Sequence, residues 1–428
     1  MQKMRIKPSS ISGRVWAPPS KSHSLRALLF ASLARGTSHL RNVLDSPDIE
    51  SMIAACRQLG AHINQHSASE YHVTGVAGQL HVESGTQIDA GNSGQVLRYL
   101  TAVMATQSEK VVVTGDDSIC SNRTVSPYLE SFPQLGVSCN SLNSNDHAPL
   151  DVRGPFSGNV ITLDGEDSQI ITGLCIAATL VDGATIIHVK HPGEIPWIQL
   201  TLDWLSRLHV PFLNDNFTKI TVQKKIIDAF NYTVPGDFSS IAFPVAAALV
   251  THSPLEVCGI DWNDTQGDKA LFFALNTLGA NLEIDASKGL IRVRSASRLG
   301  AGKVDINNFI DAITILAVLA TQASGPVRIV NAAVARKKEC NRITAIAQEL
   351  SKMGAKIETQ HDGLVIYPGS LHGAIVESHG DHRMAMSLAV AGLIAKDETL
   401  IYNTACVDKS YKDFVMTLQQ LGASIEVL

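Results

Sequence analysis

One short pattern recurs six times along the chain: an apolar helix end, then Gly-Ala or a variant of it, then alternating strand residues. It reads Leu59-Gly60-Ala61, Leu135-Gly136-Val137, Leu208-His209-Val210, Leu278-Gly279-Ala280, Met353-Gly354-Ala355 and Leu421-Gly422-Ala423. The central positions are separated by 76, 73, 70, 75 and 68 residues. A spacing near 70 held through six copies marks internal duplication and restricts the chain to an array of like units. Glycine at this point is the left-handed helix stop after which the chain can turn into a strand. His209 stands where the third copy should carry glycine, so that helix is expected to end differently. Each copy also holds a second, more apolar helix that runs through a loop into a strand, so the class is α/β.

The starts of those apolar helices are the informative part. They read Ser20-Lys21-Ser22, Gly91-Asn92-Ser93-Gly94, Asp167-Ser168-Gln169, Gly236-Asp237-Phe238-Ser239, Asn307-Asn308-Phe309-Ile310-Asp311 and His379-Gly380-Asp381-His382-Arg383. All six are polar, and all six are expected to be capped. Caps are ordinary, but cations at the positive end of a helix dipole are not, and Lys21 and Arg26 sit in the first turns of the first helix. That placement makes sense where an anion is held by free N–H groups, hydroxyls and cations together. The plain alternative is a set of capped helices with solvated charges.

Composition narrows the function classes. A chain of 428 residues has room for two or three domains with a large core. A formal charge of −5 gives no support to nucleic-acid binding. Seven scattered cysteines with no Cys-x-x-Cys pair argue against a zinc site and a disulfide framework, and fit a reducing cytosol. The first residues lead into no apolar signal segment, and the longest apolar runs, 313–320 and 385–395, are too short to span a bilayer. A cytoplasmic protein is expected.

Cations cluster at or near the helix starts: Lys21 and Arg26, Arg98, Arg123, Lys337-Lys338 and Arg342, Arg383, Lys409. Arginine suits capture of carboxylate and phosphate. Asp311 and Glu339 lie among them as candidates for proton transfer. Lys338 and Arg342, four apart, are expected on one helix face flanking Glu339.

Four runs, Lys21-Ser22-x-Ser24-x-Arg26, Gly91-Asn92-Ser93-Gly94-x-x-x-Arg98, Lys338-Glu339-x-x-Arg342 and Asp381-His382-Arg383-Met384-Ala385-Met386, carry a resemblance. In this order through the whole chain, they resemble the EPSP synthase (3-phosphoshikimate 1-carboxyvinyltransferase) family. The resemblance implies a two-domain inside-out α/β barrel of six βαβαββ units, three per domain, with the active site in the interdomain cleft. It divides the chain into a domain of residues 20–235 and a discontinuous one of residues 1–19 plus 236–428. It implies enolpyruvyl transfer from phosphoenolpyruvate to the 5-hydroxyl of shikimate 3-phosphate through a tetrahedral intermediate, with no metal and no cofactor. Phosphoenolpyruvate would be held by Lys21, Gly94, Arg123, Gln169, Arg342, Arg383 and Lys409. Glu339 would protonate the methylene carbon and later deprotonate it, Asp311 would take the hydroxyl proton, and Lys21 would help phosphate leave. Lys21, Ser22, Arg26, Asp167, Ser168, Gln169, Glu194, Trp197, Asp311 and Lys338 would face the acceptor. The related UDP-N-acetylglucosamine enolpyruvyl transferase shares the fold, but the Lys-Ser-x-Ser-x-Arg and Asp-His-Arg runs favour the shikimate branch.

The acceptor side departs from that family's pattern. Asp167-Ser168-Gln169 replaces a Ser-Ser-Gln or Ser-Ala-Gln run, and Glu194-Ile195-Pro196-Trp197 stands where a serine and a basic residue are expected. Two carboxylates beside a phosphate dianion would cost ~1–4 kcal/mol per pair. Val334, Tyr99 and Thr124 are lesser departures. Two readings follow: Ser168 or a nearby residue still binds the phosphate, or the acceptor is an unphosphorylated shikimate-like acid undergoing enolpyruvyl transfer or dehydration. A catalytically dead anion-binding module is the rival from another class. The repeats bury their own faces, so a monomer is expected.

Overall fold

The computed structural model describes residues 2–156, 159–294 and 298–428. Contacts divide the chain into two compact units, one of Met1–Pro18 with Pro235–Leu428 and one of Pro19–Val234. Among the described residues there are six four-stranded sheets, and their strands fall three sheets to each unit. The 70-residue period is thus one sheet with its helices.

The sheet of the second copy shows the plan. Gln87–Asp89 runs parallel to Val111–Thr114, which pairs antiparallel with Leu150–Arg153, and Ser138–Ser141 closes the edge. Register places Ile88 opposite Val113 and Val113 opposite Leu150, all three buried. The parallel pair requires a helical crossover, and the hairpin needs only a turn, which is the βαβαββ order. The same order recurs in Gly302–Asp305, Val327–Val330, Gly363–Tyr367 and Lys356–Gln360. The N-terminal arm completes two sheets of the discontinuous unit. Lys3–Lys7 lies between Thr399–Tyr402 and Ser424–Val427, and Gly13–Trp16 runs parallel to Leu255–Cys258.

Six apolar helices stand at equivalent places in the copies: α1 (Lys21–Leu33), α2 (Gly94–Met104), α3 (Ser168–Ala178), α4 (Phe238–Val250), α5 (Ile313–Thr321) and α6 (His382–Leu393). Of these, α2, α3, α5 and α6 cross between the parallel strands of one sheet, whereas α1 and α4 each connect strands of different sheets. Every residue of α4, α5 and α6 is buried, and these three helices pack on one another. A helix that is apolar on all sides is stable only in an interior, because each face needs apolar cover. The more amphipathic helices, such as Pro47–Gln58 and Arg342–Lys352, keep one polar face.

Five of these six helices start on a side-chain cap: Ser20, Ser93, Asp167, Asp237 and Asp381 each accept from a backbone N–H two or three residues on. The fifth helix departs from the expected pattern. Residues Asn307–Ala312 form a 3-10 turn in which Phe309 is not helical (φ −142°, ψ 50°), and α5 then begins at Ile313 with no side-chain cap. Asp311 therefore belongs to that turn, and its carboxylate is directed by the turn rather than spent on a cap.

A second correction concerns His209. It adopts the same left-handed conformation (φ 55°) as the glycines of the other copies (φ 73–108° at Gly60, Gly136, Gly279, Gly354 and Gly422), so the third helix ends as the others do, at a cost borne by the side chain. His209→Gly should therefore stabilise the protein by about 1 kcal/mol. A higher midpoint of chemical denaturation checks this; an unchanged or lower one would mean that His209 is not strained.

Candidate functional site

In the discontinuous unit, the charged residues gather around one guanidinium. Arg342 is the first residue of its helix and its side chain is 1% exposed. Its Nε donates to Asp381 Oδ2 (2.7 Å), Nη1 to Asp311 Oδ1 (2.6 Å) and Nη2 to Glu339 Oε2 (2.6 Å). Asp311 Oδ2 takes Arg383 Nη2 at 2.8 Å, and Glu339 Oε1 takes Lys409 Nζ at 2.9 Å. Arg383 also donates to Ser239 Oγ (3.1 Å). The structure thus brings Asp311, Glu339, Arg342, Arg383 and Lys409 into one ion-pair network, with Asp381 and Ser239 added. Lys338 faces it and acts on Asp311 by its charge.

The local backbone differs from the expectation for Lys338 and Arg342. A 3-10 turn spans Ala333–Lys337, Lys338 is extended (φ −90°, ψ −151°), and Asn341 caps the helix that Arg342 opens. The two cations do not share a helix face. The break in helical geometry is what lets Glu339 turn back onto Arg342.

Burial alone would raise the Asp311 carboxyl, but Arg383, Arg342 and Lys338 outweigh it and hold it well below the usual carboxylate range. Burial would lower Arg342, and the carboxylates of Asp381, Glu339 and Asp311 push it well above its ordinary value instead. Asp311 and Arg342 therefore face each other as ions. Asp311 is therefore a weak base until its cations are drawn elsewhere.

The other unit carries a second cluster. Lys21 Nζ lies 3.1 Å from Asp48 Oδ2. Arg98, 2% exposed, pairs with Asp167 Oδ2 (3.1 Å) and donates to Gln169 Oε1 (3.2 Å) and to Thr124 O (3.0 Å). Gly94 marks where these groups converge: a Cβ there would meet Arg98 Nη1 at 2.8 Å, Gln169 Oε1 at 3.5 Å and Arg123 Nη1 at 3.6 Å. No side chain fits there without displacing a guanidinium.

The residues expected at the acceptor have partners within the unit. Arg26, 1% exposed, donates to Thr201 Oγ1 (3.0 and 3.1 Å), to Ser22 O (3.0 Å) and to Trp197 O (3.4 Å), and Tyr99 lies under its guanidinium at 5.3 Å. Ser22 Oγ accepts from Gln95 Nε2 (3.3 Å). Asp167 caps α3 besides pairing with Arg98. Glu194 is only 3% exposed, has a left-handed backbone (φ 46°), and accepts from Ser168 N–H (3.2 Å) and Ser168 Oγ–H (3.1 Å).

The sequence does not single out Asp48, and it shows Asp381 only as a helix start in the Asp381-His382-Arg383 run. Asp48 lies in the first turn of Pro47–Gln58 beside Glu50, where acidic residues are common for dipole reasons, so nothing distinguished it. Asp381 was visible as a cap, but its pairing with Arg342 is set by tertiary folding. Among the described residues, no group of three His, Cys, Asp or Glu side chains is arranged to hold a metal ion.

Residues 6–418 match the family model of EPSP synthase (3-phosphoshikimate 1-carboxyvinyltransferase). A 3-phosphoshikimate 1-carboxyvinyltransferase of Chlamydia abortus is 43% identical over 99% of this chain and 94% of its own length. One from Chlamydia muridarum is 42% identical over 99% of this chain and 96% of its own. Among solved structures, EPSP synthase from Acinetobacter baumannii superposes with a TM-score of 0.83 at 25% identity, covering 100% of both chains. The enolpyruvyl transferase NikO from Streptomyces tendae shares the fold (TM-score 0.79, 17% identity, 100% of this chain and 99% of that one).

Removing Arg342 would leave buried carboxylates without their shared partner. Arg342→Ala should cost about 3–5 kcal/mol of stability at neutral pH, read from chemical denaturation. Asp311 has a depressed folded value, so its ion-pair contribution is present above the ordinary carboxylate pKa and lost as pH falls through the folded value. The gap between wild type and variant should narrow below about pH 4. A gap that stays constant from pH 7 to pH 3 would contradict this.

Proposed function

This chain belongs to the EPSP synthase (3-phosphoshikimate 1-carboxyvinyltransferase) family, and from that premise we propose that it transfers the 1-carboxyvinyl group of phosphoenolpyruvate to the 5-hydroxyl of shikimate 3-phosphate. The observation that carries this reading is the network around Arg342, in which cations for an anionic donor are interleaved with carboxylates able to move protons.

In this reading the carboxylate and phosphate of phosphoenolpyruvate take over the cations of Arg342, Arg383 and Lys409, and Lys21, Gly94, Arg123 and Gln169 serve the same donor. Asp311 and Glu339, no longer tied to those cations, become stronger bases. Asp311 accepts the proton of the attacking hydroxyl as its oxygen bonds to C2 of the donor, while Glu339, having taken up a proton, gives it to the methylene carbon. The adduct then loses phosphate, with Lys21 beside the departing oxygen, and Glu339 takes a methylene proton back. Bonds and protons balance: one C–O bond forms and one C–O bond to phosphate breaks, a C–H bond at the methylene carbon forms and breaks as the double bond is restored, and the proton taken by Asp311 leaves with the phosphate. Cations already in place where charge is displaced supply much of the rate.

Ser22, Arg26, Asp167, Ser168, Gln169, Glu194, Trp197, Asp311 and Lys338 serve the acceptor. The pairing of Asp167 with Arg98 supports a phosphorylated acceptor, because that carboxylate is compensated by a cation. One observation favours a second reading. Glu194 already occupies the N–H and hydroxyl of Ser168, which suits a shikimate-like acid without the phosphate. A monomeric, cytoplasmic enzyme belongs to the same proposal; among the described residues, no helix is long and apolar enough to cross a membrane, and the seven cysteines are free thiols.

Phosphate release from phosphoenolpyruvate should proceed with shikimate 3-phosphate and not with shikimate; the reverse would establish the second reading. Glu339→Gln should lose about 10³-fold in kcat, the scale of a lost acid–base group, with its circular dichroism unchanged. Near-normal turnover in that variant would remove Glu339 from the proton transfers.

A further inference from the structure

Arg342 opens one helix and Arg383 lies in the first turn of another, and one stripe of the first helix holds the turn that leads into the second. Glu349 follows Arg342 by seven residues, two helical turns, on the same stripe and about 10 Å farther along the axis. Its side chain is wholly buried. Its carboxylate accepts from Lys352 Nζ (2.7 and 2.9 Å), from the backbone N–H of Glu377 (3.0 Å) and from His379 Nε2 (2.9 Å), which must therefore carry a hydrogen. At the other end of the stripe, Arg342 grips Asp381.

Between those grips runs the turn Glu377-Ser378-His379-Gly380-Asp381. His379 and Gly380 are both left-handed (φ 55° and 68°). Ser378 Oγ accepts from Gly380 N–H (3.1 Å), and Ser378 O accepts from Asp381 N–H (3.0 Å). A left-handed histidine is disfavoured unless its surroundings hold it, and here the ring is held by Glu349. Burial would raise the Glu349 carboxyl, but Lys352, His379 and the Glu377 N–H outweigh it and keep the group below the usual range, so the anchor is ionised. Asp381 then caps α6 and accepts from the N–H of Arg383 (2.8 Å).

We infer that Glu349 and His379 are positioning residues for the donor site: they fix the start of the 377–381 turn, as Arg342 fixes its end, and so set where the guanidiniums of Arg342 and Arg383 stand. The inference rests on the assignment of those two arginines to phosphoenolpyruvate. Neither Glu349 nor His379 touches substrate in this account. Their effect therefore falls mainly on the donor: of the groups assigned to the acceptor, Asp311 is ion-paired to these arginines, and the others lie in other elements.

His379→Ala and His379→Gln test this, the glutamine amide being able to offer Glu349 the N–H that alanine cannot. His379→Ala should raise the KM for phosphoenolpyruvate about tenfold, the scale of a modest misplacement of binding groups, and leave the KM for shikimate 3-phosphate within about twofold. His379→Gln should recover most of the loss. The same order should appear in phosphoenolpyruvate dissociation constants measured by titration calorimetry. An unchanged KM for phosphoenolpyruvate in His379→Ala, an equal rise in both KM values, or a glutamine variant no better than alanine would overturn the inference. A wild-type protein that neither binds nor consumes phosphoenolpyruvate would instead overturn the donor-site assignment, and this inference with it.

Discussion

The guanidinium of Arg342 is the interaction on which one unit depends. It is buried, and a buried cation is tolerated only when its hydrogens are met by charge. Three carboxylates from three separate segments do this: Asp311 from a 3-10 turn, Glu339 from a loop and Asp381 from the head of α6. The same contacts fix the positions of the groups assigned to proton transfer. Stability and chemistry therefore rest on one side chain, and a lysine in its place would keep the charge but lose the planar set of donors.

The other unit follows the same logic with different partners. Lys21 stands at the positive end of α1, where a cation is unfavourable, and Asp48 compensates it. Arg98 is compensated by Asp167, and the head of α3 is met by Glu194. In both units the protein's own carboxylates hold cations that the proposal assigns to substrate anions: Arg342, Arg383 and Lys409 in one, Lys21 in the other. Binding is then an exchange of partners rather than the filling of unmatched charge. An exchange keeps the ligand-free protein stable at some expense of affinity.

Much of the fold was legible because its signals are local. A left-handed glycine and a polar cap each mark a helix end within a few residues, and their recurrence every 70 residues or so revealed six units, which are the six sheets. Local signals failed where geometry was irregular. Phe309 breaks the helix before Asp311, and Lys338 is extended before Arg342, and neither kink has a composition that announces it. The types of the donor residues were readable from a resemblance, but their partners were not. Asp48 looked like an ordinary helix-start acid, and the inward turn of Glu194 depends on a left-handed backbone that an acidic residue seldom adopts. His209 shows the converse, a residue that breaks the sequence rule while keeping the conformation.

In the proposed function, Asp311 competes with phosphoenolpyruvate for Arg342 and Arg383. The direct measurement is the phosphoenolpyruvate dissociation constant of Asp311→Asn against wild type, by titration calorimetry without acceptor. Removing an internal competitor worth about 1.4 kcal/mol should tighten binding about tenfold even as turnover is lost. Binding equal to or weaker than wild type would contradict the exchange of partners on which the account rests.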